Sequence, residues 1–135
     1  MTYSKILITI SRILLPFLIL FGIYIIVNGD TSVGGGFQGG VILATSYLMY
    51  FFIKDAHPFN ITKMLKIDKY LFVFLPLVIF IGFITTGYFF TNIIPMEYPY
   101  AVRRIYLLIL NLLIGAKVAV GFVSLFIIFI EEGNS

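Results

Sequence analysis

Charged and strongly polar residues gather in a few short clusters, and four long apolar stretches run between them. The first stretch, 6–27, is closed by Asn28, Gly29 and Asp30. The second begins inside a glycine-rich segment, covers 35–53 and is closed by Lys54 and Asp55. The third covers 70–90 and ends at Thr91 and Asn92; the fourth covers 105–130 and ends at Glu131 and Glu132. A membrane-spanning helix needs about 20 largely apolar residues, and all four stretches are of that order. The pattern predicts an all-α integral membrane protein of four transmembrane helices, with a glycine-rich start to the second. No internal repeat or low-complexity tail divides it, so residues 1–135 are expected to form a single membrane domain.

Composition strengthens this reading. The chain is 61% hydrophobic and only 11% charged, with mean hydropathy +1.09, whereas soluble domains carry about 25% charged residues. Cysteine is absent, which excludes a disulfide or a cysteine metal site. The single histidine, His57, argues against a metal site built from protein ligands alone and reads as a surface residue before Pro58. The net charge of +3 is small and spread over loops, so it carries orientation rather than a nucleic-acid patch. Four spans put the N-terminus, the loop 54–69 and the C-terminus on one side, together with Lys5, Lys54, Lys63, Lys66 and Lys69. Lysine and arginine favour the cytoplasmic side, so both termini are expected there, in the cell membrane. The first apolar run is longer than a signal-peptide core and no small-residue cleavage site follows it, so it is expected to be a retained span. Tyr88, Tyr98, Tyr100 and Tyr106 cluster about the second external loop, as an interfacial belt would.

The glycine-rich segment is Gly34-Gly35-Gly36-Phe37-Gln38-Gly39-Gly40, five glycines in seven residues. Gly34, Gly36 and Gly39 formally match a dinucleotide fingerprint, but that motif needs a preceding strand and a βαβ unit, and membrane spans flank it here. No lysine and hydroxyl residue follow, so it is not a phosphate loop. Two readings remain. Gly35 with Gly39, and Gly36 with Gly40 and then Ala44, make small-residue stripes for close helix contact. Alternatively the segment is a break whose free backbone groups face a polar path. Packing is the favoured one. In the loop 54–69, Asn60 can cap a short helix through Lys69, either an interfacial helix lying on the membrane or a partner, or a solvated connector.

Lys117 is the most informative charge. It lies twelve residues from one end of the fourth stretch and thirteen from the other, roughly 18 Å from either end. That is too far to snorkel, and a charge at the bilayer centre costs about 3 kcal/mol. No Asp or Glu falls within the four stretches. The counter-charge is therefore expected from another subunit, which points to a hetero-oligomer. On the same helix face Gly121 leaves room beside the lysine and Ser124 adds a hydroxyl, while Gly115 and Ala119 make a further small-residue pair. Asn111 lies about 240° round the helix and is expected to meet a different neighbour. Arg12 is shallow enough to snorkel, and Pro16 one turn on can kink the first helix.

The run Gly29-Asp30-Thr31-Ser32-Val33-Gly34-Gly35-Gly36-Phe37-Gln38-Gly39-Gly40-Val41-Ile42-Leu43-Ala44 resembles the signature of the MnhB/MrpB family, small membrane subunits of multisubunit Mrp-type Na+/H+ antiporters. Arg12-Ile13-Leu14-Leu15-Pro16 and Gly115-Ala116-Lys117-Val118 resemble the same family; Val33 and Asp30 stand where it usually has proline and often histidine. The resemblance extends to homologous subunits of membrane-bound hydrogenase and sulfur-reductase complexes. It implies a small subunit with no cofactor, packed among other membrane subunits in the lipid bilayer. Its intramembrane lysine would line a hydrated cation and proton route, or supply a charge to a subunit interface. The alternative it leaves is a purely structural assembly subunit of a redox-driven respiratory complex. The chain carries no nucleophile–base pair or cofactor motif, so it is not expected to be an enzyme by itself, and no nucleic-acid partner is implied. A self-sufficient transporter of identical copies is disfavoured, because its lysines would repel one another.

Overall fold

The computed structural model describes residues 3–29, 35–54, 60–87, 97 and 99–133. Its four helices are α1 (Lys5–Val27), α2 (Gly36–Lys54), α3 (Ile61–Thr86) and α4 (Tyr100–Gly133). Each is long and apolar enough to cross a membrane.

Local chemistry sets their ends. Ser4 caps α1, its hydroxyl accepting from the Leu7 N–H at 3.2 Å, and α1 continues through Pro16. At its far end the Asn28 amide donates to the Tyr24 carbonyl at 3.0 Å. Gly35 enters α2 with φ +151°, a conformation that side chains resist, and its carbonyl accepts the Gly39 N–H at 3.1 Å. Inside α2, Thr45 and Ser46 return their hydroxyls to the carbonyls of Val41 and Ile42, which satisfies both in an apolar medium. Asn60 caps α3 through the Thr62 N–H at 2.9 Å, and Gly87 ends it in the left-handed region at φ +77°.

Two boundaries differ from the sequence expectation. Residues 61–69 are neither a separate interfacial helix nor a connector: they are the first turns of α3, which runs unbroken from Ile61. Hydropathy marks where the chain becomes apolar, whereas the Asn60 cap marks where the helix starts. Likewise α4 begins at Tyr100 and carries Arg103, Arg104, Glu131 and Glu132 within it. At 34 residues it is about 51 Å long, well beyond a hydrocarbon core of about 30 Å. Gly34, His57, Tyr88, Tyr98 and the expected end of the third stretch at Thr91 lie outside the described residues.

α2 lies between α1 and α4, and α3 packs along α4. The α1–α2–α4 seam is built on missing side chains. A Cβ at Gly36 would stand 2.7 Å from the Asn111 carbonyl oxygen, and one at Gly40 2.7 Å from that of Gly115. A Cβ at Gly39 would stand 2.7 Å from the Gly22 carbonyl oxygen and would collide with Ile26. Ile26, 3% exposed, fills the space between Gly39 and Gly115. The glycines therefore let three backbones close around one isoleucine, as small residues do where lipid supplies no hydrophobic drive. Further along, Ala44, Met64, Val123 and Ile127 form a second buried cluster joining α2, α3 and α4. Ala119 lines a cavity of about 300 Å³ beside it, with Tyr47 and Met64.

Two substitutions test the seam in the full chain by thermal unfolding in detergent. Gly40→Ala drives a methyl into the Gly115 carbonyl and is expected to cost about 1–3 kcal/mol. Gly133→Ala meets nothing within 4 Å and is expected to stay within about 0.5 kcal/mol. Equal melting of the two would refute close backbone packing at Gly40.

Candidate functional site: an intramembrane ion pair at the α3–α4 groove

Lys117 lies near the middle of α4, seventeen residues after Tyr100 and sixteen before Gly133. Its Nζ forms a salt bridge with Oδ1 of Asp68. This corrects the expectation that the counter-charge must come from another subunit. Because α3 starts at Ile61, Asp68 lies seven residues into a membrane helix, about 10 Å from its start, and not in a loop. α3 runs antiparallel to α4, which sets the two side chains face to face.

Gly121 and Phe72 shape the pair. A Cβ at Gly121 would lie 3.3 Å from Asp68 Oδ1 and 3.7 Å from Lys117 Nζ. A glycine one turn beyond the lysine therefore leaves room for the carboxylate. Lys117 Nζ also sits 5.7 Å from the centroid of the Phe72 ring, close enough for a cation–π attraction. Ser124, on the same face and 4% exposed, has a buried Oγ with no hydrogen-bond partner among the described residues.

The pair is not sealed. The Lys117 and Asp68 side chains are 23% and 28% exposed. Beside the pair is a groove of about 420 Å³ walled by Phe72, Val118, Phe122 and Leu125. Charges open to hydrocarbon are costly, so this opening calls for protein or water rather than acyl chains. The pair itself is electrically neutral, which is how a chain can carry both groups in a membrane.

Asn111 stands apart from this pair. Its amide nitrogen is 2.8 Å from where a Gly29 Cβ would be, and its side-chain oxygen 4.0 Å from a Gly35 Cβ. It thus sits beside Gly29 and Gly35, six residues from Lys117. Arg12 is exposed on α1 and lines a separate cavity with Tyr50 and Lys54 of α2. Sequence reasoning missed Asp68, Gly22 and Ile26. The signal for Asp68 was present: joining the helix capped by Asn60 to the apolar stretch that follows carries Asp68 into the membrane.

A double-mutant cycle tests the pair. Asp68→Asn and Lys117→Gln are each expected to destabilise the chain by about 2 kcal/mol, since each leaves one charge uncompensated. Together they are expected to cost less than the sum by at least about 1 kcal/mol. Additive effects in reversible unfolding would mean that the two groups do not interact.

Residues 6–124 match the family model described as a domain related to the MnhB subunit of Na+/H+ antiporter. The chain is 33% identical over 60 residues to a Staphylococcus haemolyticus protein named as antiporter subunit mnhB2, covering 44% of this chain and 41% of that one. It is 32% identical over 72 residues to a protein of Alkalihalophilus pseudofirmus named as a Na(+)/H(+) antiporter subunit, covering 49% and 50%. The matched region thus spans about half or less of these relatives' length. No solved structure matches the chain. Both relatives are named as antiporter subunits and neither as part of a redox complex. With the model match running through the glycine seam and Lys117 alike, the chain belongs to the MnhB family.

Proposed function

We propose that this chain is a small, non-redox and non-catalytic membrane subunit of a multisubunit Na+/H+ antiporter, and that the Lys117–Asp68 pair belongs to its ion-translocation path. The observation that carries this is the partly open ion pair at the middle of α4, in a chain of the MnhB family. Other membrane subunits would cover the groove of Phe72, Phe122 and Leu125 and bring their own polar groups to the pair. A sodium ion or proton reaching Asp68 would compete with the ammonium for the carboxylate. The released Lys117 would then face the covering subunit, where its field repels a following cation. The glycine seam of Gly22, Gly36, Gly39, Gly40 and Gly115 would hold α1, α2 and α4 as a fixed frame for this exchange. In the same reading the protein is multi-pass in the cell membrane, with both termini in the cytoplasm.

The transport test uses the assembled complex in everted vesicles. Lys117→Ala is expected to lower sodium/proton exchange per assembled complex by roughly tenfold or more, the scale set by an uncompensated intramembrane charge. Unchanged exchange at normal assembly would remove Lys117 from the path. A lower yield of complex with normal exchange per complex would make the pair an assembly tether only.

Orientation has a clean test because the chain lacks cysteine. Ser4→Cys and Gly133→Cys are both expected to react with a membrane-impermeant maleimide in everted vesicles and not in intact cells. Labelling of both in intact cells would invert the topology.

A further inference from the structure

A second charged site lies away from the ion pair. Arg12 of α1 and Lys54, the last residue of α2, line one cavity of about 410 Å³ together with Leu15, Tyr50 and Ile53. Lys54 Nζ sits 5.2 Å above the Tyr50 ring. No carboxylate among the described residues lines the cavity. Among the described residues neither cation forms an ion pair, and Asp68 is already engaged by Lys117. Arg12 is seven residues into α1, about 10 Å along its axis, and Lys54 closes the neighbouring antiparallel helix. The two cations therefore lie at the membrane boundary, one slightly deeper than the other. Pro16 has no N–H, so the Arg12 carbonyl lacks its usual partner four residues on. That adds local polarity on the same turn.

We propose that this cavity binds the headgroup of an anionic phospholipid. The guanidinium suits a phosphodiester through paired N–H donors, and the ammonium adds a point charge. Leu15 and Ile53 supply the apolar wall that the first acyl carbons need. Two cations with no acidic partner among the described residues, beside an apolar wall, fit an anion with a hydrocarbon tail better than they fit a free ion. Basic residues at a membrane surface each contribute attraction to anionic lipid. The site is independent of the ion pair, so it stands whether or not Lys117 carries ions.

The test is native mass spectrometry of the full chain in neutral detergent, titrated with phosphatidylglycerol, phosphatidylcholine or inorganic phosphate. Wild type is expected to retain phosphatidylglycerol in preference to phosphatidylcholine and to be unaffected by millimolar phosphate. Arg12→Gln with Lys54→Gln is expected to weaken phosphatidylglycerol binding about tenfold or more, with helical content unchanged by circular dichroism. Lys63→Gln with Lys66→Gln removes equal charge elsewhere and is expected to leave binding intact. Equal binding by the Arg12/Lys54 variant, an equal loss in the Lys63/Lys66 control, or competition by inorganic phosphate would each overturn the lipid site. So would lipid retained by the chain alone but absent from the assembled complex, which would mean that an acidic partner segment fills the cavity.

Discussion

A charge in hydrocarbon has to be neutralised within reach of its own side chain, and the Lys117–Asp68 pair shows how this chain meets that constraint. The requirement fixes more than two residues. It sets the register of α3 on α4 and favours glycine at position 121, where a Cβ would stand a tight 3.3 Å from the carboxylate oxygen. It also requires α3 to begin ahead of Asp68, which the Asn60 cap provides. The remaining contacts between α3 and its neighbours are modest, centred on Met64 against Val123 and Ile127. The ion pair is therefore a main positional link between α3 and the rest of the fold.

The other three helices are held differently. Around Ile26, Gly22, Gly36, Gly39, Gly40 and Gly115 bring backbones into contact, so dispersion over close surfaces does what hydrophobic drive does in water. The chain thus has two parts of unlike character: a tightly packed α1–α2–α4 seam, and an α3 whose outward face is largely apolar and exposed, with Phe72, Val73 and Leu77 all more than half exposed. A polar pair opening onto the α3–α4 groove, beside so much bare apolar surface, suits a protein embedded among others.

Much of this was legible in the residues. Four apolar stretches gave four helices, because length and hydropathy decide a membrane span. Gly121 was legible as space beside Lys117, since helical spacing puts the two on one face. Asp68 was not legible to a hydropathy reading: it lies among Lys63, Lys66 and Lys69, where the sequence looks like a loop. Only the cap at Asn60 shows that the helix has already begun. Gly22 and Ile26 were hidden for another reason. Nothing in a single helix reveals which of its residues a glycine on a different helix will meet.

The reading proposed above requires another membrane subunit over the open side of the Lys117–Asp68 pair. Leu125 is 51% exposed at the edge of that groove, so a photoreactive benzoyl-phenylalanine at this position in the assembled complex reads the cover directly. A covalent adduct with a second membrane polypeptide is expected if that face is covered. Adducts with lipid alone would contradict that reading.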